Sequence, residues 1–474
     1  MLYDLGVIGT GPGGLAAVAE ARRRGLSVLC VDRRGAGGGV CLHEGCIPSK
    51  VLLHGTHLYR HACDDLTHWG IGGGSRLTMD VKTLMAKKRA VIAGLARGAD
   101  SLLKGAHALS VAGHAYVTGR DKEGFCVSVH KKESRDDKGT LYHVRTLLIA
   151  IGSMPSRLDV LPSGVMDSTS CLSLDAVPEH LLVIGGGYIG LELGSVWRRL
   201  GARVSVVEAQ KHILAGMDKD IRQAMHRALT KQGFSWHMGV RVESCHVDKG
   251  VYHLTLGHDD KRQETLRASH VLVAVGRMAH ETDMGLRAMG VAYDERGFII
   301  VDDGFRTNVD GVCAIGDCIG GKMLAHKASG EGVRAIESLC GVVSDRLQEE
   351  HIPAVIYTDP EAASVGLSED ALGDSRCAYK KGVCFFRANG RAHTIGAMGA
   401  MDGFVKVLAY DDDRVCGVHI VGTQAGDMIA EATQALRFSA SCEDIMTQCQ
   451  AHPTLSEAFV EAAAAAFRAS PHHP

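Results

Sequence analysis

The run Asp4-Leu5-Gly6-Val7-Ile8-Gly9-Thr10-Gly11-Pro12-Gly13-Gly14 decides how this chain folds. An apolar strand over 4–8 ends in a G-x-G-x-x-G turn at Gly9, Gly11 and Gly14. An alanine-rich helix then runs to Arg24, and a second strand over 27–31 ends at Asp32. The three glycines permit a tight turn, close approach of a pyrophosphate and close helix–strand packing. The helix N-terminus turns unpaired N–H groups and a positive dipole end toward the phosphates. Asp32 is suited to accept ribose hydroxyls.

The same unit recurs. A strand over 181–184 leads into Gly185-Gly186-Gly187-Tyr188-Ile189-Gly190, a helix runs to Leu200, and a strand over 203–207 ends at Glu208. In both copies the acid stands 23 positions after the first glycine, from Gly9 to Asp32 and from Gly185 to Glu208. Two copies imply two dinucleotide sites. Glu208 would repel a 2′-phosphate and no arginine follows it in Ala209-Gln210-Lys211-His212, so NAD is expected over NADP, with Lys211 the one dissenting charge.

Just beyond the first unit lies Gly38-Gly39-Val40-Cys41-Leu42-His43-Glu44-Gly45-Cys46-Ile47-Pro48-Ser49-Lys50. Two cysteines with four residues between them can close a small disulfide ring, and a sulfur pair beside a redox cofactor can pass two electrons. An ordinary thiol of pKa about 8.5 is only a few per cent thiolate at neutral pH, so exchange benefits from a base. The segment Ala451-His452-Pro453-Thr454-Leu455-Ser456-Glu457 offers His452, which Glu457 could orient. Taken alone, the segment reads sooner as an ordinary alanine-rich helix over 456–470 with His452 near its start. Lys50 follows Cys46 by one helical turn and could support negative charge on a reduced flavin, with Glu192 as its partner.

Composition narrows the class. The chain has 474 residues, 46% of them hydrophobic, and a net charge of −2. That length suggests three or four domains, and the charge gives no sign of nucleic-acid or membrane binding. Fifteen cysteines in so long a chain, without a signal-like start or a span-length apolar run, suggest reduced thiols in an intracellular compartment. That would be cytoplasm in a prokaryote or mitochondrial matrix in a eukaryote. The remaining histidines, His472 and His473 among them, show no paired metal spacing, so no metal site is expected. Apolar residues at helical spacing from Val81 to Leu102 predict one long helix, and the polar stretch 121–145 an exposed hairpin.

The run at 38–50 resembles the redox-disulfide motif of the flavin-dependent pyridine nucleotide-disulfide oxidoreductases, and more narrowly of their dihydrolipoyl dehydrogenase branch. The likeness continues through Ala314-Ile315-Gly316-Asp317, through Met323-Leu324-Ala325-His326-Lys327-Ala328, and through Val355-Ile356-Tyr357-Thr358-Asp359-Pro360-Glu361. It extends to Ala388-Asn389-Gly390-Arg391-Ala392 and to the His452/Glu457 segment. It implies an α/β fold with two Rossmann-like dinucleotide-binding domains and a C-terminal α+β dimerisation domain. The boundaries would be 1–152 for the first part of the FAD domain, 153–276 for the NAD domain, 277–350 for a central domain completing the FAD site, and 351–474 for the interface domain. FAD would be held by Gly9, Gly11, Gly14, Asp32, Lys50, Gly152, Asp317 and Ala325, and NAD by Gly185, Gly187, Gly190, Glu208 and Gly276, with Glu192 pairing Lys50. Cys41 would exchange with substrate, Cys46 would face the flavin as a charge-transfer thiolate, and His452, oriented by Glu457, would be the base. The histidine would come from the partner subunit of a homodimer. The reaction implied is oxidation of protein-bound dihydrolipoamide through the disulfide and FAD, with NAD⁺ reduced. Its partners would be the lipoyl domains and core of 2-oxoacid dehydrogenase complexes, or a glycine cleavage complex.

The pattern is not followed everywhere. Val40 stands where the family has threonine, His43-Glu44 replaces an asparagine–hydrophobe pair within the ring, and Ile151 replaces a threonine before Gly152. The pair inside the ring bears on redox poise, where about 30 mV corresponds to 1.4 kcal/mol for two electrons. Tyr188 either covers the nicotinamide pocket or packs. Glutathione-type reductases would want basic residues after Glu208, and mercuric reductase a cysteine pair in the tail, which ends Ala469-Ser470-Pro471-His472-His473-Pro474. A flavin-binding protein that had lost catalysis need not have kept both cysteines, His452 and Glu457.

Overall fold

Strand Leu2–Ile8 pairs in parallel with Val28–Asp32 on one side and Thr140–Ile149 on the other. The structure, a computed structural model, describes all residues except 1, 36, 134–136, 259–261, 281–282, 343–346, 396–400 and 470–474, so the tail histidines lie outside the described residues. The chain divides into two compact units. One comprises Met1–Pro48, Ala86–Ser156 and Gly276–Leu347, the other Ser49–Met85, Arg157–Val275 and Gln348–Pro474.

In the first unit, the sheet runs Leu109–Ala112, Val28–Asp32, Leu2–Ile8, Thr140–Ile149, Gly124–His130, His114–Asp121. Strand Thr140–Ile149 changes partner along its length. Its first half pairs antiparallel with Gly124–His130, and its last three residues pair in parallel with Val312–Ala314. The central strands read as near-continuous apolar runs because both faces are covered; Leu5, Val7, Leu29, Leu147 and Leu148 are fully buried. Helices Pro12–Arg23 and Ala325–Leu339 approach closely at glycines: a Cβ on Gly332 would stand 2.4 Å from the Gly13 carbonyl oxygen. The predicted long helix is Val81–Gly105. The polar stretch 121–145 does form a hairpin, but one that buries Phe125, Val127, Val129 and Val144; its lysines, Lys122, Lys131, Lys132 and Lys138, lie in the connecting turns and not on either strand.

The second unit holds a parallel sheet ordered Phe234–Met238, Arg203–Glu208, His180–Ile184, His270–Val273. It also holds the antiparallel ribbon Val240–Asp248, Val251–His258, Gln263–Ala268. Its third sheet is antiparallel, ordered Ala354–Ile356, Glu361–Gly366, Val415–Gly422, Phe404–Tyr410, Tyr379–Phe385. Helices Ala425–Arg437 and Glu457–Arg468 bury Met428, Ile429, Ala458, Ala462 and Ala466 in a core with Val405, Val407, Val418 and Ile420 of this last sheet.

Candidate active site

The two glycine loops adopt one geometry. Gly9 (φ 97°) and Gly185 (φ 108°) both occupy the left-handed region that disfavours side chains. A Cβ on either would lie 2.3 Å from a carbonyl oxygen, of Ala150 and of Ala274 respectively. The third glycines tuck under the first: a Cβ on Gly14 would meet the Gly9 oxygen at 2.0 Å, and one on Gly190 the Gly185 oxygen at 2.4 Å. Around the middle glycines there is room. Nothing lies within 4 Å of a Cβ on Gly187, and only Gly39 Cα reaches 4.0 Å at Gly11. Gly11 and Gly187 are the extended N-cap residues of helices Pro12–Arg23 and Tyr188–Arg199, so the open space borders unpaired helix N–H groups. These cradles fit two dinucleotide pyrophosphates.

The acids are tied back to the loops in the same way. Asp32 Oδ2 accepts from the Thr10 N–H at 2.9 Å and from its hydroxyl at 3.0 Å, and Glu208 Oε2 accepts from the Gly186 N–H at 2.7 Å. Gly152 and Gly276 also have positive φ, 75° and 119°; nothing lies within 4 Å of a Cβ on Gly152, and only Ser156 Oγ, at 3.9 Å, comes near one on Gly276.

Asp317 lies in the 3-10 turn Gly316–Ile319, and Ala325 opens helix Ala325–Leu339. The Ser153 hydroxyl donates to Asp317 Oδ2 at 2.5 Å and accepts from Arg277 Nε at 2.7 Å. Behind the turn, Glu331 Oε2 accepts the Gly316 N–H at 2.8 Å, and buried Lys327 pairs with Glu331 at 2.7 Å. Ser153, Arg277 and Glu331 escaped sequence reading. No spacing rule joins Ser153 to Asp317, 164 positions on; only strand pairing of Arg277–Ala279 with Ser153–Pro155 brings the group together.

Cys41 lies in the short helix Gly39–Glu44, and Cys46 opens helix Cys46–Asp64. The unusual residues between them are anchored to the preceding loop. Glu44 Oε2 pairs with Arg34 at 2.5 Å, and His43 Nε2 lies 3.2 Å from the Gly37 carbonyl oxygen. Glu44 therefore brings its own counter-charge. Val40 is half-buried in the same helix.

One turn into the second helix, Lys50 Nζ donates to Glu192 Oε2 at 2.8 Å. The other oxygen of Glu192 accepts the Tyr357 N–H at 3.0 Å, and Lys50 stands 4.7 Å from the centroid of the Tyr357 ring. Glu192 is 3% exposed, so its charge is held by these partners rather than by water. Tyr188, first residue of its helix, is 40% exposed.

Glu457 opens helix Glu457–Arg468, and its carboxylate is shared. Oε2 accepts the Thr454 N–H at 2.7 Å, and Oε1 lies 2.8 Å from His452 Nδ1. The Thr454 N–H foremost, then His452, hold the Glu457 carboxyl below its ordinary range. With Nδ1 directed to the carboxylate, Nε2 is left to face a substrate or thiol. That is the arrangement of a base with its orienting acid.

Residues 3–332 match the pyridine nucleotide-disulphide oxidoreductase family, and residues 352–463 match that family's dimerisation domain. The chain belongs to this family. A dihydrolipoyl dehydrogenase of Trypanosoma brucei brucei is 42% identical, the match covering 98% of this chain and 96% of the relative. Dihydrolipoyl dehydrogenase 3 of Pseudomonas aeruginosa is 40% identical, covering 97% of each. The crystal structure of LpdA from Mycobacterium tuberculosis shares the fold at a TM-score of 0.88, with 24% identity, over 97% of this chain and 99% of that one. The protein is thus a pyridine nucleotide-disulphide oxidoreductase, an enzyme using FAD and NAD(H), and its dimerisation domain supports a homodimer. Among the described residues no helix is long and apolar enough to cross a membrane.

Proposed function

We propose that the enzyme is a dihydrolipoyl dehydrogenase in which Cys41 and Cys46 form the redox-active pair and His452 is the base. The observation that carries this reading is the Glu457–His452 hydrogen bond of 2.8 Å at the head of an alanine-rich helix, in a chain that also bears the Cys41/Cys46 segment. The dihydrolipoyl dehydrogenase relatives, alike over nearly their whole length, support the choice of substrate. Cys41 exchanges with the dihydrolipoyl thiol, His452 takes the thiol proton at Nε2, and Cys46 faces the flavin. FAD and NAD⁺ supply the two-electron and hydride chemistry when bound. Residues that hold FAD would be Gly9, Gly11, Gly14, Asp32, Lys50, Gly152, Asp317 and Ala325. Those that hold NAD would be Gly185, Gly187, Gly190, Glu208 and Gly276. In the dimer, His452 of one subunit serves the cysteines of the other, and the physiological donors are lipoyl domains of 2-oxoacid dehydrogenase or glycine cleavage complexes.

The test pairs NADH or NADPH with lipoamide or glutathione disulfide and follows reduced-cofactor absorbance. Lipoamide reduction by NADH is expected, and it should vanish in Cys41→Ser and in Cys46→Ser while FAD stays bound. Turnover of glutathione disulfide with NADPH, or full activity in either serine variant, would sink the proposal.

A further inference from the structure

The hairpin of the first unit gathers three metal-ligating side chains that no feature of the redox chemistry uses. Cys126 and His143 are direct cross-strand partners on Gly124–His130 and Thr140–Ile149, and Asp121 ends the adjoining strand His114–Asp121. One donor atom from each of the three lies within 4.8 Å of the other two. The carboxylate is fixed by its own turn, Oδ1 accepting the N–H groups of Glu123 at 2.8 Å and Gly124 at 3.2 Å. Oδ2 is thereby aimed at both partners, 3.4 Å from Cys126 Sγ and 3.3 Å from His143 Nε2. Ligands of a tetrahedral Zn²⁺ at ~2.0–2.3 Å stand roughly 3.3–3.7 Å from one another. The two separations from Oδ2 therefore already match a shared cation.

A nucleophilic reading fits less well. In a Cys–His–Asp relay the imidazole lies between thiol and carboxylate, whereas here the carboxylate lies between thiol and imidazole. Burial, then the hydrogen bond to Asp121 and after it the Asp121 charge, push the Cys126 thiol up, which mutes it as a nucleophile.

We propose that Asp121, Cys126 and His143 form a binding site for a Zn²⁺-class divalent transition metal, with a fourth position left to water. Thiolate, imidazole and carboxylate together suit Zn²⁺ rather than Mg²⁺ or Ca²⁺, which take oxygen ligands. Metal entry breaks the Cys126 S–H bond and forms an S–metal bond. One proton leaves to solvent, and neutral His143 keeps its proton on Nδ1 so that Nε2 can coordinate. The site lies far from the first dinucleotide loop: Leu2 pairs with His143 and Ile8 with Ile149, so six residues of strand, roughly 20 Å, separate His143 from the end that leads into Gly9. Bound metal would staple three neighbouring strands.

The experiment uses the oxidised, FAD-loaded enzyme and Zn²⁺ itself, titrated against a chromogenic chelator, together with iodoacetamide labelling of Cys126 read by peptide mass spectrometry. One Zn²⁺ per chain is expected, with affinity falling in Cys126→Ser, His143→Asn and Asp121→Asn by more than the ~10–100-fold typical of residues behind the ligands. Zn²⁺ should slow alkylation of Cys126 in the unaltered enzyme but not in His143→Asn, whose thiol is intact. Retained flavin absorbance and lipoamide turnover report that each variant is folded. Unchanged Zn²⁺ affinity in Cys126→Ser, or Cys126 alkylation indifferent to Zn²⁺ in the unaltered enzyme, would overturn the site.

Discussion

Glu192 clasps two segments at once: Oε2 accepts from Lys50 Nζ at 2.8 Å and Oε1 from the Tyr357 N–H at 3.0 Å. A carboxylate 3% exposed and flanked by a cation and an amide is costly to disturb from either side.

Lys50→Met strands the Glu192 charge, so it should destabilise more than Glu192→Gln, which keeps a hydrogen-bonding side chain. Lys50 is itself partly solvated, which screens the pair, so a coupling of about 1–2 kcal/mol is expected from the double-mutant cycle. Thermal melting of the two single variants and the double variant checks this; strictly additive losses would mean that the pair contributes nothing.

His452→Gln should lower lipoamide turnover by roughly 10²–10⁴-fold, the range typical of a positioned base. Glu457→Gln should cost less, because the imidazole stays present but loses its orienting charge. FAD content, read from the visible spectrum, should be unaffected in both. Equal turnover in His452→Gln and the unaltered enzyme would remove His452 from the reaction.

The glycine loops predict a separation of cofactors. Gly14→Ala drives a methyl to 2.0 Å from the Gly9 oxygen and should yield protein lacking FAD. Gly190→Ala brings the same clash, at 2.4 Å from the Gly185 oxygen, to the other loop. It should retain FAD while the KM for NADH rises about tenfold or more, the equivalent of at least ~1.4 kcal/mol. A yellow, fully NADH-competent Gly14→Ala enzyme would contradict the assignment of the first loop.

Acid stability should depend on Glu369. Burial alone would raise its carboxyl, but hydrogen bonds from Lys219 and Lys381, with the charge of fully buried Lys406, outweigh it and hold the group at about 2. A carboxyl depressed from 4.5 to about 2 contributes stability that is complete above pH 4.5 and is lost as pH falls toward 2. Glu369→Gln should therefore lower Tm at neutral pH, by about 1–3 kcal/mol of stability, and flatten the decline of Tm between pH 4.5 and the acid limit. A Tm–pH curve parallel to that of the unaltered protein would refute this.

Much of the architecture is written in short runs. Gly9 and Gly185 need positive φ and Gly14 and Gly190 need a missing Cβ, and these are demands of the local chain that any G-x-G-x-x-G loop carries visibly. The long helix Val81–Gly105 was legible from apolar spacing for the same reason. The exposed hairpin expected over 121–145 is buried on one face, where Phe125, Val127 and Val129 alternate inward; a polar composition averages the two faces of a strand with its turns and does not show this. Histidine spacing also gave no hint of the Asp121–Cys126–His143 cluster, because His143 and Cys126 meet through strand register.

By itself the sequence determined the two nucleotide loops, the acids 23 residues beyond their first glycines, the cysteine segment and the His452/Glu457 segment. Each depends on stereochemistry or contacts spanning a few residues or one strand–helix–strand unit. Only the tertiary structure decided that Ser153 bridges Asp317 and Arg277, that Tyr357 joins the Lys50–Glu192 pair, that Arg34 neutralises Glu44, and that Asp121 faces both Cys126 and His143. Apart from the short reaches between Arg34 and Glu44 and between Asp121 and Cys126, these are pairings of strands, helices and turns brought together by packing. Their register follows from which faces are buried, a property of the assembled sheets that no short window of sequence contains.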